Sequence, residues 1–231
     1  MSNTKGNYRQ QLASNNGWQQ VNANSFWGEI ASSDHIIQVY EEDEVMTTSV
    51  ASFIEEGIHS NETCVVILTP EHIHAIEKKL RQRGFNVDTL IDEHRYIPYD
   101  AEETLAKFMV EDWPDRPLLY LTVSELLATA KASGRKIRCM GEMVYLLWRQ
   151  GLEEATIQLE AIWNELYEKD PFLLYCVYKR ESFEGDIFNK LSTICCAHHK
   201  IIAGTESNSD DIVYRNLDGE RRESAEVLLA R

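Results

Sequence analysis

Residues 137–148 read IRCMGEMVYLLW. Ile137, Cys139 and Met140 make a short run suited to a buried strand, and Met143 to Trp148 is apolar at nearly every position, as a helix buried on most sides requires. Gly141 and Glu142 mark the junction. A strand feeding directly into a helix is half of a β–α unit, and a carboxylate between two buried elements needs a partner. Glu142 therefore has two readings: an acid that faces a pocket and anchors a ligand, or a helix-start acid paired with Arg138 in the preceding strand.

The same strand-then-helix alternation repeats on both sides of this stretch. HIIQVY (35–40), TCVVILT (63–69), RYIPY (95–99) and FLLYCVY (172–178) are strand-like runs bounded by turn or helix-start residues. Between them lie segments with helical spacing. Val45, Val50, Phe53, Ile54 and Ile58 form one apolar stripe, with Gly57 near its end. Thr69, Pro70 and Glu71 supply an N-cap, a first-turn proline and a first-turn acid for a helix to about Arg83. Asp100, with Glu103 three residues on, opens another helix, and a further helix over 118–133 stops at Gly134. A break near Gly151 begins a helix in which Leu152, Ala155, Leu159, Ile162 and Leu166 form a core stripe. Residues 188–199 read as a last helix on the sheet. The expected fold class is α/β: a three-layer, open, mostly parallel sheet with helices on both faces. Residues 1–25 read as a flexible N-terminal arm, 26–203 as the domain, and 204–231 as a polar linker ending in a short helix.

The chain carries 23 Lys and Arg against 38 Asp and Glu, a net charge of -15, so its field repels nucleic-acid backbones and anionic membranes. The polar N-terminus lacks a secretory signal and no apolar run approaches a membrane span, so a cytoplasmic location is expected. Five cysteines, three of them inside strand-like runs, fit reduced buried thiols.

In open α/β sheets ligands bind beyond the carboxyl ends of the strands. Here those positions are acidic: Glu41, Glu42, Asp43, Glu71, Asp100, Glu102, Glu103 and Glu142. After the first strand the chain reads YEEDE, without the glycines and lysine that cradle phosphates. ATP is not expected, nor any other cofactor. Asp100, Glu71 and Glu103 are explained first by helix capping. Beside the core stripe of the 152–166 helix, Glu160, Trp163, Asn164 and Tyr167 make a mixed aromatic and polar stripe, suited either to a pocket wall or to the core. ICCAHHK places Cys195, His198 and His199 at metal-ligand spacing, but one helix converges at most two or three of them and no second cluster completes four. No nucleophile and base stand together, so catalytic residues are not assigned and an enzyme is not expected.

Taken in order, SFWGEIASSDHIIQVYEED, RYIPYDAEETLAKFM, KIRCMGEMVYLLWRQG, LEAIWNEL and LLYCVY resemble the MEDS domain, the sensory domain named after the methanogen and methylotroph regulator DcmR. The resemblance runs from about Phe26 to Ala203. RxxGEMVxLLW followed by LExxWN is its most specific part. It implies a domain related to the RecA and KaiC ATPase fold that has lost its phosphate loop and senses small hydrocarbon derivatives. The family's recurrent positions fall on His35, Tyr40, Asp100, Ala101, Arg138, Gly141, Glu142, Met143, Trp148, Glu160, Trp163, Asn164, Cys176 and Tyr178. The candidate ligand pocket comprises His35, Tyr40, Asp100, Arg138, Glu142, Trp148, Glu160, Trp163 and Asn164.

Family members often attach this module to a kinase or a DNA-binding domain; with Arg231 as the last residue, none is expected here. The expected protein is therefore a sensor that binds a small organic ligand and acts in signal transduction or transcription regulation through a separate kinase or regulator, with self-association left open. Two alternatives stand beside it: a degenerate ATPase-fold interaction module without ligand, and an enzyme holding a divalent cation on the acidic edge.

Overall fold

The computed structural model describes residues 17–31, 34–170, 172–180, 194, 198–203 and 211–217. Ten strands are present among them: β1 (Trp18–Asn22), β2 (His35–Tyr40), β3 (Thr63–Leu68), β4 (Tyr96–Asp100), β5 (Met109–Val110), β6 (Trp113–Pro114), β7 (Ile137–Gly141), β8 (Leu173–Lys179), β9 (Lys200–Ala203) and β10 (Asp211–Asn216). The principal helices are α1 (Asp43–His59), α2 (Pro70–Gln82), α3 (Val87–Asp92), α4 (Ala101–Ala106), α5 (Arg116–Ala132), α6 (Met143–Arg149) and α7 (Glu153–Lys169).

Eight strands form one sheet in the order β1-β10-β9-β2-β8-β7-β3-β4. From β9 to β4 every pairing is parallel, while β1 and β10 add an antiparallel edge. The strands β2, β3 and β8 are buried almost throughout, so each reads as a continuous apolar run rather than an alternation. Alternation instead sorts their side chains between two cores. Ile37, Val39, Cys139, Leu174, Cys176 and Tyr178 face α4 to α7. Ile36, Tyr40, Cys64, Val66, Tyr175 and Val177 face α1 to α3. This is the three-layer α/β arrangement read from the sequence.

The main differences lie at the two ends of the chain and in its turns. The arm contributes β1, and the stretch read as a linker contributes β10, with Trp18 opposite Arg215 and Asn22 opposite Asp211. Ile212, Val213 and Tyr214 are buried in the sheet. A six-residue strand flanked by Ser, Asp and Asn has too little periodicity to stand out locally; its stability comes from neighbours far along the chain. DWPDRP (112–117) forms part of the β5–β6 hairpin and the start of α5. The expected helix over 188–199 and the short terminal helix lie largely or wholly outside the described residues.

Gly57 lies in the last turn of α1, and its reason is packing. A Cβ there would stand 2.5 Å from Cys64 Sγ and 2.6 Å from Arg138 Cδ, so only glycine lets α1 lie over the Arg138 side chain.

Candidate functional site

Because β2, β3, β7 and β8 run parallel, their carboxyl ends share one edge of the sheet. Glu142 follows β7 there. Its N–H donates to the Ile67 carbonyl at 3.1 Å, which extends the ladder to β3 by one residue and brings the side chain to the start of α2. Glu142 is fully buried. One carboxylate oxygen accepts the Thr69 N–H at 2.5 Å and the other lies 2.8 Å from His72 Nδ1. Burial alone lowers the His72 pKa, but the hydrogen bond and charge of Glu142, with Asp43 and Glu71 behind, outweigh it and raise the value above the ordinary 6.5.

Arg138 is not the partner of Glu142. Four residues of extended chain separate them by about 13 Å. Arg138 sits lower on β7 and turns under α1, where Nε donates to Glu62 at 2.6 Å, Nη1 donates to the Phe53 carbonyl at 2.8 Å, and the guanidinium lies 5.1 Å from the Phe53 ring centre. Reading sequence proximity as spatial proximity failed because a strand carries its residues apart. The true partner, His72, needs the β3–α2 turn to arrive. Thr69 likewise takes the N-cap place without a side-chain cap; its hydroxyl has no hydrogen-bond partner among the described residues, and neither does the buried Tyr40 hydroxyl. Burial, and next the Glu142 charge, push the Tyr40 pKa up and keep the phenol neutral.

A second polar cluster lies inside the sheet layer, on the side of α7. His35 opens β2, Cys176 lies on β8, Glu160 on α7, and His198 just before β9. All four are buried, and their donor atoms lie within 4.8 Å of one another. His35 Nε2 is 3.5 Å from Cys176 Sγ and 3.8 Å from Glu160 Oε2. His198 Nε2 is also 3.8 Å from Glu160 Oε2. The other Glu160 oxygen accepts the Tyr178 hydroxyl at 2.6 Å. Burial raises the Glu160 carboxyl to about 7, the Tyr178 hydrogen bond opposing, and burial lowers His198 to about 4.

The candidate pocket residues thus separate. His35 and Tyr40, five apart on one strand, face opposite sides of the sheet. Asp100 caps α4, accepting the N–H groups of Glu102 and Glu103 at 2.8 and 3.1 Å. Trp148 is core. Asn164 bonds Glu168 at 3.2 Å on the outer part of α7. Trp163 lines a small apolar hollow with Ile67, Gly141, Met143, Val144 and Cys176, with space on the order of one water molecule. Of the Cys-x-x-His candidates, His198 joins the buried cluster, while His199 Nδ1 accepts the His35 N–H at 3.0 Å and Cys195 lies outside the described residues. The residues missed as partners, His72 and Thr69, carried only helix-start signals. Cys176 looked like ordinary strand core; burial, and next the Glu160 charge, push its thiol pKa well up.

The family profile described as MEDS, methanogen/methylotroph DcmR sensory domain, matches residues 34–199. No curated protein matches the chain. Among solved structures, a KaiC-like protein from the hyperthermophilic archaeon Pyrococcus horikoshii OT3 is similar with a TM-score of 0.53 at 11% identity, over 74% of this chain and 72% of that one. That likeness supports a RecA-like α/β fold.

Proposed function

Because the chain belongs to the MEDS sensory-domain family, we propose that it binds a small, largely apolar organic ligand, a hydrocarbon derivative, and passes its bound state to a signalling partner. The observation that carries this reading is the hollow between β7, β8 and the helices α6 and α7, with its apolar walls, the Cys176 thiol and Trp163. It adjoins Gly141, one residue from Glu142, so an occupant bears on the strand end that holds the start of α2. Enlarging the hollow by a small movement of α6 requires that the ligand prefer the moved state. Nucleotides do not suit the site: Asp43 and Glu44 occupy the first turn of α1, where a phosphate would need N–H groups free of negative charge.

Ligand-observed NMR with a panel of short alcohols, amines and haloalkanes tests this reading. Saturable binding of at least one compound is expected, together with loss in Val144→Phe, whose ring more than takes up the space the ligand needs, and weakening in Trp163→Leu. No binding across the panel, with no small molecule retained by the protein in native mass spectrometry, refutes it.

One observation favours the interaction-module reading. Val110, Trp113, Leu118 and Leu121, on β5, β6 and the first turns of α5, are large apolar residues left 40 to 57% exposed. Leu121→Glu abolishing association with a partner, in the absence of any ligand effect, would move the function to that face.

A further inference from the structure

We propose that His35, Glu160, Cys176 and His198 together bind one zinc ion, through Nε2 of both histidines, the Cys176 sulfur and Glu160 Oε2. The site shares Cys176 with the wall of the apolar hollow but needs no ligand there, and it uses residues from β2, α7, β8 and the chain just before β9.

The spacing of the donor atoms is the first argument. Around a tetrahedral zinc, with bonds of about 2.0 to 2.3 Å, neighbouring ligand atoms stand about 3.4 Å apart for a nitrogen and oxygen pair and about 3.6 Å for nitrogen and sulfur. The two histidine-to-Glu160 distances are both 3.8 Å, and His35 to Cys176 is 3.5 Å. Two of these contacts are too long for a hydrogen bond and suit atoms that share an ion.

The second argument is what the cluster lacks as a hydrogen-bond network. Glu160 Oε2 and His198 Nε2 are buried without a hydrogen-bond partner among the described residues, and the His35 and His198 rings lie 3.9 Å apart between centres. A buried carboxylate oxygen and a buried imidazole nitrogen are costly to leave unpaired. One dication placed among them satisfies both.

The third argument is orientation from outside the cluster. His198 Nδ1 lies 2.8 Å from the Ile194 carbonyl, which can only accept, so Nδ1 carries the proton and Nε2 presents its lone pair to the cluster. Tyr178 holds the other Glu160 oxygen at 2.6 Å. Metal ligands are held this way, by a hydrogen bond on the atom that does not bind.

The donor set selects the ion. Two imidazoles and a thiolate disfavour calcium and magnesium, which take oxygen, and four protein donors gathered within 4.8 Å favour zinc. Binding requires the Cys176 thiol and any protonated Glu160 carboxyl to lose their protons to solvent, after which thiolate and carboxylate balance the dication. With all four ligands buried, no coordination position is left for a substrate water, which is the form of a structural or regulatory site.

The test uses the full chain purified in reductant without chelator. Metal analysis before and after dialysis against zinc chloride is expected to give one zinc per chain. Cobalt(II) in its place is expected to give tetrahedral visible bands and a thiolate-to-cobalt charge-transfer band. Cys176→Ala and His198→Gln are expected to lower zinc affinity at least 100-fold and to remove the charge-transfer band or weaken the visible bands, while Cys139→Ala on the adjacent strand keeps both. If those variants fail to fold, Tyr178→Phe is expected to fold and lose about 10- to 100-fold in affinity. A folded wild-type chain that takes up no zinc overturns the proposal. So does a cobalt charge-transfer band that survives Cys176→Ala and disappears in Cys195→Ser.

Discussion

Glu142 shows how much one buried carboxylate can organise. It takes the Thr69 N–H and meets His72, so β7, β3 and α2 meet at a single side chain. Since the folded-state pKa of His72 is raised, the charged pair stabilises fully below the ordinary imidazole value of 6.5 and its contribution fades as pH rises through the folded-state value. NMR titration of the His72 ring should therefore show a pKa above that of an unfolded peptide, and Glu142→Gln should bring it down. Equal titration in both proteins would remove the pair from the account. Glu142→Ala, which leaves the Thr69 N–H without its acceptor, is expected to cost about 1 to 3 kcal/mol by urea denaturation, and Glu142→Gln less, because the amide oxygen still accepts.

Among the elements, α1 and β7 depend on each other through Arg138 and Gly57. The helix lies close enough to the strand that the guanidinium reaches the Phe53 carbonyl and Glu62. Gly57→Ala places a methyl group into Cys64 and Arg138 and is expected to destabilise by about 1 to 3 kcal/mol, although alanine is the better helix former. A neutral or stabilising result in a thermal melt would mean that α1 moves away at little cost. Arg138→Met leaves the mostly buried Glu62 carboxylate without its cation, and about 3 kcal/mol of destabilisation is expected. These contacts explain why the apolar stripe of α1 was legible in the sequence and its glycine was not. A stripe is a local period, whereas the glycine answers to an arginine 81 residues away.

Over the whole molecule, the sheet extends beyond the parallel core into the first and last described strands. Tyr214 on β10 is buried against Phe26, with ring centres 4.9 Å apart, so Tyr214→Ala should cost about 3 kcal/mol; a loss below about 0.5 kcal/mol would return residues 211–216 to the status of a linker. What the sequence determined alone was the α/β class, the buried parallel strands, the helix starts at Asp100 and Pro70, and the family, because each rests on local period, capping chemistry or ordered motifs. What only the tertiary structure decided was the pairing: Glu142 with His72 rather than Arg138, and His35, Glu160, Cys176 and His198 in one cluster. Side chains up to 163 residues apart meet there because parallel crossovers set β2 beside both β8 and β9, and that adjacency is written in no single segment of the chain.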